Sequence, residues 1–179
     1  MAIIPDDKNW TWVIDRVCDE CGYDSAAVDV LHMPALLRTH AALWPDALQR
    51  DGAASRPDDH TWSALEYGCH VRDVFALYDV RLGLMIEHDG PQYPNWDQDA
   101  AAITNDYGAQ NPAVVAVQLV AAAEQLAARY DSVTANDMSR TGFRSDGAAF
   151  TIETFSKYLL HDPVHHLVDV ANGYHQLAN

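Results

Sequence analysis

The chain has 179 residues, 49% of them hydrophobic, which is enough for one domain with a real buried core. Its 26 acidic residues against 11 basic ones leave a formal charge of −15, a surface that a nucleic acid or an anionic membrane would repel. No run approaches the ~18–20 consecutive apolar residues of a membrane span, and three cysteines argue against a disulfide framework and fit a reducing cytoplasm.

Residues 1–24 read as an irregular N-terminal arm punctuated by Pro5 and Gly22, and the opening segment has neither the basic nor the apolar region of a secretory signal. Trp10 and Trp12 carry too much apolar surface to stay wet, so the arm is expected to fold back onto the rest of the chain. Within it, Cys18 and Cys21 have the spacing of half a zinc site or of a redox pair. No βαβ pattern surrounds them to support a thioredoxin-like role. Two packed thiols in a turn and a zinc knuckle completed by histidines both remain open.

Asp24 and Ser25 cap a first helical stretch over residues 25–50, with Val28, Leu31, Leu36, Leu43 and Leu48 on its apolar side. Pro34 and Pro45 inside it predict a kink or a break. A loop rich in turn formers follows, and Asp59 or Thr61 caps a second helix over 61–88, whose apolar residues from Trp62 to Ile86 follow a helical period. Residues 89–111 form a long proline-bearing connection interrupted by a short helix over 98–105. Pro112 opens a third helix over 112–131. Residues 132–147 are polar with glycine breakers, and a fourth helix starts near Ala148. Four helical stretches, with neither strand alternation nor an internal repeat, predict an all-α, up-down four-helix bundle over residues 25–179.

The histidines carry the chemistry. His161 and His165 are four residues apart, which puts two imidazoles on one helix face at ligand spacing, with Asp169 a turn further on. On the second helix His70 shares its face with Glu66 and Asp73, acids able to orient an imidazole through its second N–H. His70, His161 and His165 are therefore the candidate metal ligands. Neutral imidazoles suit Zn²⁺, Ni²⁺ or Fe²⁺, and three of them leave a coordination position open for chemistry. Pro163 lies between the two C-terminal histidines. If it ends the helix and starts a new one capped by Asp162, the shared face is lost and His166 becomes the alternative ligand. His32, His40, His60, His88 and His175 read as surface or half-buried residues.

A histidine set in Glu66-Tyr67-Gly68-Cys69-His70-Val71-Arg72-Asp73, with a His-x-x-x-His-His in the fourth helix, resembles the DinB-like superfamily of four-helix metal-binding proteins. The resemblance covers about residues 25–172, including Trp62 and the Arg144-Ser145-Asp146-Gly147 turn. The arm with its Cys-Asp-Glu-Cys is similar to an extension found in an actinobacterial branch of that superfamily. The chain departs from the plainer pattern where Pro163 falls inside the motif and no His-Arg-Gly-Gln follows it. The resemblance implies a bundle that holds one divalent metal ion through His70, His161 and His165. Some members are thiol-dependent enzymes, namely mycothiol-dependent maleylpyruvate isomerase and transferases that attach bacillithiol, mycothiol or glutathione to electrophiles.

The leading expectation is a metal-dependent S-transferase. In it a low-molecular-weight thiol such as mycothiol attacks a small-molecule electrophile as a metal-bound thiolate. Glu66, Asp73, Asp162 and Asp169 are the candidate proton carriers or ligand-orienting groups. Metal-assisted hydrolysis is the second expectation. A metal-binding or structural bundle without turnover, a homodimer in one form, is the third.

Overall fold

Local side chains set where several of the helices begin. In the computed structural model, which describes residues 9–179, Ser63 and Glu66 form a reciprocal capping box that starts α3, Ala64–Glu87. Asn111 caps α5, Pro112–Tyr130, by accepting from two backbone amides, with Pro112 at its first position. Thr151 and Thr154 cap α6, Ile152–Leu177. Asp97 does the same for the short α4, Gln98–Thr104. The opening of the arm, with Pro5, lies outside the described residues.

The stretch over 25–50 is broken rather than kinked. It runs as two 3₁₀ turns, Ser25–Ala27 and Val30–His32, followed by α1, Met33–Ala41, and α2, Trp44–Leu48. Each proline sits in the first turn of its own helix, where a missing N–H costs nothing; Pro45 prevents α1 from running on. Pro163 has the opposite outcome, because α6 continues through it and the ring is buried in the core. Packing on both sides holds the helix together across one lost backbone bond.

Around the bundle, α1 packs on α5 and α6, and α3 packs on the same two. Helices consecutive in sequence are thus not all neighbours in space, unlike a simple up-down bundle with short loops. The long connections at 88–111 and 131–151 make that arrangement possible. The core is filled by Trp44, Phe75, Leu82, Leu119, Leu126, Phe155 and Leu159, all essentially inaccessible to solvent. Among the described residues no helix is long and apolar enough to cross a membrane.

The expectation of an all-α fold needs correction, since a small sheet closes one end. Its order is β1 Gln92–Tyr93, β2 Thr141–Arg144, β3 Ala149–Thr151, with β1 parallel to β2 and β2 antiparallel to β3. These strands are two to four residues long, too short to show alternation in sequence. A Cβ on Gly142 would sit 2.9 Å from Met85 Sδ and from the Tyr93 ring, so the sheet packs on α3 only because that residue is glycine. The hairpin carries Arg144 into the cleft described next.

Candidate metal centre

A cleft of about 750 Å³ opens between α3 and α6, roofed by Trp96 and its neighbours and by Trp10 and Glu20 of the arm. It is large enough for a small organic substrate. Three groups of ligating side chains lie in or beside it along α6, the third, His165, His166 and Asp169, sharing one histidine with each of the other two.

The first group joins the bundle's two long helices. His70 from α3 and Asp162 and His166 from α6 bring one ligand atom each within 4.8 Å of one another. His70 Nε2 lies 3.3 Å from Asp162 Oδ2, and His166 Nε2 lies 3.9 Å from Asp162 Oδ1. The other ring nitrogen of His166 meets Asp169 Oδ2 at 2.8 Å. That contact fixes the ring and turns Nε2 towards the group, the arrangement that orients a ligating imidazole. Trp96 stacks on His70 at 5.4 Å, Trp62 packs against it at the same distance, and the Tyr67 ring lies 4.8 Å from that of His166. Burial disfavours the charge on Asp162, but the facing imidazoles of His70 and His166 outweigh it and hold the carboxyl down at about 2. Asp162 Oδ1 is buried and makes no hydrogen bond.

The second group ties the arm to α6. Cys18, Cys21, His161 and His165 also bring one ligand atom each within 4.8 Å of one another. Burial, with His165 adding to it, pushes His161 down to about 4, and burial lowers His165 as well. Both rings are therefore neutral at pH 7 and keep a lone pair to donate. Burial also pushes the Cys21 thiol up to about 11, so without a cation beside it that thiol stays protonated.

The three expected ligands are thus divided: His161 and His165 stay together, and His70 joins neither. The reason is angular. Because α6 is unbroken, residues 161 and 165 share one face, and residues 162 and 166 share the next, turned by about 100°. It is the second face that meets α3. His166 takes its place beside His70 with the helix intact. Asp169 lies between the groups, 3.6 Å from His165 Nε2 as well as in contact with His166. Glu66 is occupied by its capping box and by the Arg56 guanidinium, and Asp73 by Tyr107 Oη at 2.6 Å and Arg72 Nε at 2.8 Å.

Sequence reasoning gave no role to two arginines in the cleft. Arg81 lies eleven residues along α3 from His70, about 16 Å by helical rise. It is buried over the Tyr93 ring and donates to the Pro94 carbonyl at 2.7 Å, and its Nε makes no hydrogen bond. Arg144 reaches the cleft from the hairpin, paired with Asp146 at 2.8 Å. Arg81 falls on the helical period of the core residues around it, so the sequence offered a signal; Arg144 depends on the unforeseen hairpin.

Neither a family model nor a curated protein sequence matches this chain. Among solved structures it is similar to YfiT from Bacillus subtilis, with a TM-score of 0.73 over 92% of this chain and 91% of that one, at 16% identity. The chain has the fold of YfiT. That protein is described as a probable metal-dependent hydrolase with an unusual four-helix bundle topology.

Proposed function

We propose that this protein is a DinB-like metal-dependent enzyme in which His70, Asp162 and His166 hold a divalent ion beside the cleft. The observation that supports this reading is their convergence from two helices on the wall of an open cavity, with the buried carboxylate oxygen Asp162 Oδ1 making no hydrogen bond. Two imidazoles and a carboxylate suit zinc, nickel or iron and leave a coordination position unfilled. An ion held there supplies Lewis acidity that lowers the pKa of a thiol or of water. The residues do the rest. Asp162 contributes a negative charge that strengthens binding of the cation, Asp169 keeps His166 in the ligating tautomer, and Trp62 and Trp96 exclude water from one side of His70. Arg81 and Arg144 make the far end of the cleft attractive to a substrate bearing a carboxylate.

The reaction we propose is transfer of a low-molecular-weight thiol, of the mycothiol kind, to an electrophilic carbon. The resemblance of the sequence to thiol-dependent DinB-like enzymes supports it, and a cleft of this size has room for two small reactants. Hydrolysis is the second reading, favoured by the description of YfiT. Metal-loaded protein incubated with an epoxide or chlorinated electrophile and a panel of thiols should consume both reactants. Turnover of ester or amide substrates without thiol moves the assignment to hydrolysis, and no turnover of either kind rejects an enzyme acting on these substrates.

A further inference from the structure

We infer that Cys18, Cys21, His161 and His165 form a second, closed zinc site that clamps the N-terminal arm to α6. Their four ligand atoms lie within 4.8 Å of one another, and Cys18 Sγ stands 3.8 Å from His165 Nδ1. Ligands around a tetrahedral zinc ion are about 3.5 Å apart, given bonds of about 2.3 Å to sulfur and 2.0 Å to nitrogen, so a small contraction would complete the set. Cys18, His161 and His165 are each over nine-tenths buried, and His161 Nε2 makes no hydrogen bond. A buried polar nitrogen without a partner is costly, and a bound cation supplies the partner.

The arm is shaped for the purpose. Between the cysteines and Tyr23 the chain turns back on itself, with Gly22 N donating to Cys18 O at 2.8 Å and Cys18 N to Tyr23 O at 2.9 Å. Gly22 has φ +74, a left-handed value that directly after the second cysteine lets both thiols face the same way. Tyr23 Oη donates to the Lys157 carbonyl of α6 at 2.6 Å, and its ring meets His161 edge-on. The Trp10 ring covers His161 and His165 at 5.4 and 4.9 Å.

The two nitrogens of His165 face different chemistry. Nδ1 looks towards Cys18, while Nε2 lies 3.6 Å from Asp169 and 3.8 Å from Glu20. Carboxylates on the far nitrogen are what fix the tautomer and raise the basicity of a zinc-bound histidine. Two cysteines and two histidines fill a tetrahedral shell and leave no position for substrate, so the role is structural. The cleft-lining centre at His70 shares none of these ligands, and either site stands if the other fails.

Cobalt substitution tests this directly. Tag-free protein, reduced and stripped of metal, should show on titration with Co²⁺ an intense thiolate-to-cobalt charge-transfer band and strong visible bands of tetrahedral cobalt, abolished by zinc. Cys21→Ser should remove the charge-transfer band or most of it, while His70→Ala should leave it unchanged. Failure of Cys21→Ser to fold leaves a measurement on the unaltered protein, since zinc should protect Cys18 and Cys21 from alkylation, with Cys69 as internal reference. Absence of the band at saturating cobalt, its survival in Cys18→Ser/Cys21→Ser, equal alkylation with and without zinc, or a Cys18–Cys21 disulfide in freshly isolated protein would overturn the inference.

Discussion

Two faces of α6, one residue out of step, hold two different kinds of site. The 161/165 face meets soft thiols on a covering arm and lies under the Trp10 ring, a set with four donors that fills a tetrahedral shell. The 162/166 face meets one imidazole from α3 and opens onto a cleft of about 750 Å³. Donor number, softness and exposure all differ, although the residues alternate along a single helix. What separates stability from chemistry here is the neighbour each face meets.

The difference can be broken at several points. The largest effect is expected from His70→Ala. It should lower turnover by at least ~100-fold and abolish binding at the open centre, while the cobalt–thiolate band persists. Retained activity with that variant would remove His70 from the proposed site. Phe155→Ala strikes the core beneath both faces, since the ring is buried and lies 4.4 Å from that of Tyr78. A loss of about 3–5 kcal/mol in denaturant unfolding is expected, with metal content per folded molecule unchanged. Asp169→Asn touches both faces at once. It should weaken metal binding at each by roughly 10–100-fold in competition titrations, and an effect at only one centre would show which imidazole depends on it.

The smallest expected effect lies away from both sites. Asp79 is buried in an ion pair with Arg129 and accepts from Gln125. Burial works against its charge, but those partners win and depress its pKa below the usual carboxylate value. Its contribution to stability is therefore complete above the ordinary carboxylate range and is lost as pH falls through the lower, folded value. Asp79→Asn should cost about 1–3 kcal/mol near neutrality and flatten the acid limb of the stability curve, with both metal sites intact.

Much of this architecture is readable from the chain itself. The Ser63–Glu66 box, Asn111-Pro112 and the hydrophobic period mark the long helices to within a few residues, because caps and periodicity are local. The sheet escapes notice because strands of two to four residues carry no period, and what holds them is a close approach of Gly142 to Met85 and Tyr93. The division of the histidines is hidden for another reason. His161/His165 and Asp162/His166 have the same spacing, and no local rule says which pair turns towards α3. That choice is made by packing. Cys18 and Cys21 likewise announce half a site, but their partners lie more than a hundred residues away.

The most direct measurement is the metal content of tag-free protein loaded with zinc, compared with Cys21→Ser and His166→Ala. About two equivalents should bind to the unaltered chain, one should disappear in each variant, and the two losses should be independent in the double variant. A single equivalent, lost alike in both variants, would mean that one ion is shared across the faces of α6 and that the two-centre arrangement is wrong.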